Sequence, residues 1–236
     1  MKMKNISTCI FLLLILPLAG KGQQAFNQQK RIKGPRLGVD VSGVVWQYMQ
    51  PDQLSLAGWA DYEIMPALYA IAEGGRLKVN RAQDRFTYQS TGYYGKIGAD
   101  YNFLQQKLEA LAQYDMIYGG LRFGGARFSH QAQNITLQNE YWGNYQIDPL
   151  PEYSMQAFWT ELVAGIRVEV LKNLFLGWSV RGQVMLSKKK DPRMDTWKIP
   201  GFGNPRNGTS LSFTYSISYR IPLIKVPAGK SLFDQE

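Results

Sequence analysis

Residues Ser210 to Ile221 read SLSFTYSISYRI. Leu211, Phe213, Tyr215, Ile217, Tyr219 and Ile221 alternate without a break with Ser210, Ser212, Thr214, Ser216, Ser218 and Arg220. Successive strand side chains point to opposite faces, so the segment predicts a strand with one apolar and one polar wall. Its length decides the class: about 9–11 residues of tilted strand cross a bilayer, whereas soluble strands average about 5–6.

Working outward from this stretch, seven weaker copies precede it. They are centred on Leu37–Ser42, Ala60–Ile64, Leu68–Glu73, Tyr93–Phe103, Ile117–Gly124, Glu161–Val170 and Leu174–Arg181. Pro66 separates the second from the third, because proline offers no N–H to a ladder. Connection lengths check the count. Bacterial barrels have short periplasmic turns, long outer loops and an even number of strands. Lys172-Asn173 is too short for an outer loop, which puts Gln131–Ser154 and Lys188–Thr209 outside and both mature termini in the periplasm. The reading is all-β: an eight-stranded, antiparallel, up-and-down transmembrane barrel whose narrow lumen is plugged by its own side chains. Closure requires the last strand to pair with the first, expected around Leu37 to Val45. Leu104 to Tyr114, on the short-turn side, has Leu104, Leu108 and Leu111 at helical spacing and is expected either as a long turn or as a short amphipathic helix.

The polar faces mix charge sign, and basic side chains facing lipid cost about 2–4 kcal/mol each at the midplane. Asp61, Glu63, Glu73, Asp100, Glu161 and Glu169 are therefore expected in the lumen with Lys96, Arg122, Arg167, Arg181 and Arg220, paired as buried charges must be.

The N-terminus predicts export. MKMKN is a basic leader, Ile10 to Leu18 is apolar, and Ala19-Gly20-Lys21-Gly22 offers small residues for cleavage. The expected organisation is a signal peptide at 1–22, a periplasmic lead-in at 23–35, the outer-membrane barrel at 36–224 and a periplasmic tail at 225–236. Cys9, the single cysteine, lies ahead of the apolar run, so neither a lipoprotein anchor nor a disulfide is expected. Cleavage removes Lys2, Lys4 and Lys21 and no acid, which lowers the formal charge from +9 to +6. That excess suits outer-membrane lipid and lipopolysaccharide phosphates, and does not call for nucleic acid.

Several phrases together resemble an uncharacterised family, a domain of unknown function, of small outer-membrane barrel proteins from Bacteroidota-type bacteria. They are GYYGKIGADYNF (92–103), YGGLRFG (118–124), ELVAG (161–165), LGWSVR (176–181), IPGFG (199–203) and YSISYRIPL (215–223). The likeness runs from about Leu37 to Leu223, and implies fold and location without bringing catalytic residues.

Candidate chemistry is sparse. His130 is the only histidine, so Ser129, His130 and Glu140 merit consideration as a lipid-hydrolase set. Neighbours on a strand point to opposite faces, which keeps Ser129 from His130. With one histidine and no mature cysteine, no metal or cofactor is expected. The outer loops carry the remaining signal. Tyr141, Trp142, Tyr145, Trp197 and Phe202 cluster aromatics near Lys188, Lys189 and Lys190, either as a contact site for a partner or lipopolysaccharide or as a self-packed lid. The reading is a non-catalytic outer-membrane barrel with a structural or partner-binding role, not a general porin. The alternatives are an accessory subunit of an outer-membrane assembly or export machine that contacts other envelope proteins and, more distantly, a lipid A-modifying enzyme.

Overall fold

The computed structural model describes residues 31–49, 51–83, 85–104, 114–137, 143, 145–205 and 207–226. The expected signal peptide, most of the lead-in, the segment 105–113 and the tail after Val226 lie outside the described residues. The elements run β1 (Arg31–Lys33), β2 (Arg36–Asp40), α1 (Ser42–Met49), β3 (Gln53–Met65), β4 (Leu68–Ala82), β5 (Thr87–Asn102), β6 (Met116–Gln133), β7 (Ile135–Leu137), β8 (Tyr145–Ile147), β9 (Leu150–Leu171), β10 (Leu174–Lys188), β11 (Thr209–Arg220) and β12 (Ile224–Val226).

Eight antiparallel strands, β2 to β6 and β9 to β11, close into one ring in chain order. The sequence reading of an eight-stranded barrel holds, and so does its closing pair: Tyr219 stands opposite Leu37 and Ser216 opposite Asp40. Two-residue turns at Pro66-Ala67 and Lys172-Asn173 mark one end of the barrel, the turn end, which also carries the longer link from β5 to β6; the β6–β9 and β10–β11 connections lie at the other, the loop end. Ala67 and Asn173 both have positive φ, at 65° and 64°, the left-handed geometry that tight hairpins require.

Three features depart from expectation. The ladder of β2 stops at Asp40 rather than reaching Val45. Asp40 Oδ1 accepts from the Ser42 backbone N–H and hydroxyl, capping α1, so the chain coils where a strand was expected. The lead-in and the tail also meet, as β1 pairs with β12 through Arg31–Val226 and Lys33–Ile224. Finally, the strands on the loop side are longer than the alternation suggested. β9 runs 22 residues, and β7 pairs with β8 inside what was expected to be an open loop.

The extra length has a physical signature. On the turn side of the wall the outward residues are apolar: Leu162 is 70% exposed, Ile97 66% and Tyr219 49%. Their inward neighbours there include polar and charged side chains such as Glu161, Lys96 and Ser218. Nearer the loop end the phase inverts. On β4, Leu77 and Val79 point in while Arg76 and Lys78 point out. On β6, Ala126 and Phe128 point in while Arg127 is exposed, and on β9 Met155 and Ala157 point in while Gln156 is exposed. A strand can keep its two-residue period and exchange which face is apolar only if the medium outside changes along it.

The interior accordingly has two storeys. The lower is charged, as described below, with a small buried cluster of Tyr69, Met116, Tyr118 and Val163 beside the charges. The upper is an apolar core of Ala126, Phe128, Met155, Ala157, Trp159, Ile199 and Phe202, beside a smaller cluster of Leu77, Val79 and Tyr88. Gly124 admits the Trp159 indole, since a Cβ there would overlap the ring.

Candidate functional site

The loop from β10 to β11 turns back into the barrel mouth and closes it. Ile199 and Gly203 exchange backbone hydrogen bonds at 2.8 and 2.9 Å, forming a tight reversal with Gly201 at φ +73°. The reversal drives Phe202 inward until it is 1% exposed, edge-on to Trp159 with ring centroids 5.8 Å apart. Gln183 Nε2 donates to the Gly201 carbonyl at 3.0 Å and to Glu161 Oε1 at 2.7 Å, and Trp159 Nε1 donates to the same carboxylate oxygen at 2.7 Å. Phe202, one of the loop aromatics expected as a contact site or as a self-packed lid, is buried beneath the loop. Trp197 remains 38% exposed, with the Arg81 guanidinium 4.7 Å from its ring centroid.

A polar latch ties the start of this lid to the wall. His130 is 1% exposed, and its Nε2 stands 3.1 Å from Asp191 Oδ2. Its Nδ1 stands 3.3 Å from the Tyr88 hydroxyl, which in turn accepts the Trp197 backbone N–H at 3.4 Å. A hydroxyl accepting from Trp197 has its own proton free for His130, which assigns Nδ1 as acceptor and Nε2–H as donor to Asp191. Arg193 clamps the other side of Asp191, with Nε to Oδ1 and Nη2 to Oδ2 both at 3.0 Å. Ser129 points away from this group, and its carbonyl accepts the Ser90 hydroxyl at 3.0 Å. Glu140 lies outside the described residues. Ser129 and His130 are thus not brought together as a pair.

Burial pushes the His130 pKa below its usual 6.5, against the opposing pull of Asp191. The hydrogen bond from Arg193 holds Asp191 down, to about 2. The signs follow by linkage. A histidine whose pKa is depressed in the closed lid stabilises closure above about pH 6.5, and that contribution fades as pH falls through the depressed value. The Asp191 contribution persists until far lower pH. NMR titration of the His130 ring in micelles is expected to give a pKa below 6.5, with amide protection of Ile199 and Gly203 weakening as pH drops from 7.5 toward 5. His130→Asn should flatten that dependence; an unchanged slope in the variant would assign it to another group.

Below the lid, every charged residue expected in the lumen points inward. Glu73 accepts from Arg181 Nη1 at 2.7 Å and Arg122 Nη1 at 2.9 Å, and lies 3.3 Å from Lys96 Nζ. Lys96 also reaches Glu161 at 2.8 Å, and Arg122 reaches Asp100 at 3.1 Å. Asp61 bridges Arg36 at 2.7 Å and Arg167 at 2.8 Å. Glu63 lies 3.6 Å from Lys33, and Glu169 lies 3.1 Å from Arg220. Arg220 also stacks over Tyr114, 3.5 Å from the ring centroid.

Sequence reasoning missed Lys33, Arg36, Tyr88 and Asp191. Carrying the Leu37 alternation back one residue would have found Arg36; Asp191 sits in a loop with no period to reveal it. Of the other loop candidates, Lys188 is half-buried, while Lys189 and Lys190 are exposed. The Lys189 ammonium lies 4.8 Å from the Tyr153 ring centroid. Tyr145 stands in β8 opposite Leu137, and Tyr141 and Trp142 lie outside the described residues.

Solved structures similar to the chain include three outer-membrane proteins. The N-terminal β-barrel domain of Pseudomonas aeruginosa OprF has a TM-score of 0.38 at 12% identity, covering 82% of this chain and 100% of that one. A major outer membrane protein from Thermus thermophilus has a TM-score of 0.46 at 10% identity, covering 79% and 99%. Acinetobacter baumannii CarO2 has a TM-score of 0.41 at 10% identity, covering 82% and 100%. No curated protein matches the sequence. A family model does match, over residues 2–226, and the chain therefore belongs to the family described as a domain of unknown function, DUF6048.

Proposed function

We propose that this protein spans an outer membrane as a closed, non-catalytic barrel, with a structural or partner-binding role and without the open channel of a general porin. The observation that carries the reading is the inversion of polarity along the strands. A belt that is apolar outside and charged inside fits lipid; the part above it, polar outside and apolar inside, fits water. From Leu68 to Arg76, at about 3.3 Å per residue and a tilt of about 40°, the belt is roughly 20 Å tall, close to the ~25 Å of membrane barrels. The charged storey and the lid core fill the interior, which argues against porin-scale conduction. Outer-membrane lipid is the surrounding partner, and other envelope proteins are the candidates for contact.

Leu162→Arg tests the placement. In a bilayer the change is expected to cost about 2–4 kcal/mol of folding stability, because Leu162 lies in mid-belt. A barrel with water outside would lose almost nothing at a 70% exposed site. The wild-type protein in planar bilayers should insert without porin-scale current steps; such steps would overturn the closed-lumen reading.

A second reading, an accessory subunit of an outer-membrane assembly or export machine, is favoured by α1. This helix packs between β3 and β11 where β2 ends, and leaves Val44, Val45 and Tyr48 exposed, Tyr48 at 90%. Exposed apolar residues on a helix are the kind of surface a protein partner covers. A photo-crosslinker at Tyr48 that captures one stoichiometric envelope protein supports this reading; capture of lipid alone removes it.

A further inference from the structure

The outward face of β4, β5 and β6 carries a basic cluster at the upper edge of the apolar belt. Arg76, Tyr93 and Arg127 occupy one register row, Arg76 opposite Tyr93 and Tyr93 opposite Arg127. One step higher on β4 stands Lys78, beside Thr91. The three basic side chains are exposed, and among the described residues none is held in an ion pair. Arg76 lies over the Tyr93 ring, 5.3 Å from its centroid, which fixes its direction along the wall. With strands about 4.8 Å apart, Arg76 and Arg127 are roughly 10 Å apart across Tyr93, within reach of one anionic group from both sides. Among the described residues, Glu152 is the one acidic residue lining the surface cleft that Lys78 also lines, so three basic groups stand against one acid.

Immediately below the row, Gly74, Gly95 and Gly125 face outward in register. A Cβ added at Gly95 would meet nothing. Farther down, Ala70 and Ala72 floor an apolar depression walled by Tyr62 and Ile97. A ligand with an anionic head and an apolar tail matches charge above and bare apolar wall beneath.

We propose that Arg76, Lys78 and Arg127, grouped around Tyr93, bind the phosphate of a phosphorylated glycolipid of the outer leaflet. This rests on the membrane reading above. Its chemistry is that of guanidinium groups forking onto phosphate oxygens at the water–lipid boundary, where Coulomb attraction is less screened than in bulk water.

The test is native mass spectrometry of the full-length protein released from mild detergent with lipid A bearing two phosphates, enzymatically dephosphorylated lipid A, or inorganic phosphate. Wild type is expected to retain the phosphorylated lipid about tenfold better than the dephosphorylated one. The R76A/R127A double variant should lose that preference, and K189A/K190A should keep it, all three showing the same β-sheet circular dichroism. Equal retention by R76A/R127A, or full displacement of the lipid by inorganic phosphate, overturns the proposal. Failure of the wild type to insert into vesicles would instead sink the membrane reading, so the two failures are separable.

Discussion

Replacing Glu73 with alanine is expected to lower the folding stability of the barrel by about 3–5 kcal/mol. The carboxylate lies between Arg122, Arg181 and Lys96, all buried, and also accepts the Tyr94 hydroxyl at 3.3 Å. Without it, Arg181 Nη1 keeps only Glu161, at 3.9 Å, while Arg122 falls back on Asp100 and Lys96 on Glu161. The loss is then the cost of a desolvated Arg181 guanidinium left with one distant carboxylate that it shares with Lys96, larger than the net value of the pair it replaced. The double variant Glu73→Leu with Arg181→Leu removes both charges and should recover most of that loss. Urea denaturation in lipid vesicles, followed by tryptophan fluorescence, reads both. If the single variant costs less than about 1 kcal/mol, water enters the lower storey and the lumen is not dry.

Phe202→Ala should open the lid without unfolding the barrel. Deleting a fully buried aromatic ring costs about 3–5 kcal/mol, and the residue belongs to a loop that can leave the mouth while the ladders stay intact. Hydrogen exchange at Ile199 and Gly203 should accelerate by roughly two to nearly four orders of magnitude, with the urea midpoint of the barrel barely moved. Gly201→Val should act in the same direction for a separate reason. A branched side chain is disfavoured at φ +73°, and its Cβ would lie 2.5 Å from the Tyr94 ring. Trp197→Ala is the contrast, because a part-exposed ring over Arg81 contributes only about 0.5–1 kcal/mol. Unchanged exchange in Phe202→Ala would mean that the Asp191–His130 latch alone keeps the mouth shut.

The lower half of the molecule was legible because one rule governs it. From Leu37 to Val39 and from Ile97 to Tyr101, each residue's face follows from its place in the alternation, and lipid outside demands apolar outside. That rule also directed Glu73, Arg122, Arg167 and Arg181 inward, since the other wall would be prohibitive. It weakened above the belt. At Arg76-Leu77 and Arg127-Phe128 the period continues while the apolar phase reverses, so a reading tuned to apolar-outward strands ended β4 and β6 early.

The sequence by itself determined the strand count, the closing of the last strand on the first, and the sorting of charges to the inner wall. All of these follow from a two-residue period and the solvent on each side. Tertiary structure decided what the period does not encode. Which carboxylate meets which guanidinium depends on register across the lumen, as when Asp61 joins Arg36 to Arg167. The choice between lid and contact site at Phe202 depended on whether the loop could reach an apolar pocket. That pocket, formed with Trp159, Met155 and Phe128, exists only once distant strands have closed the ring.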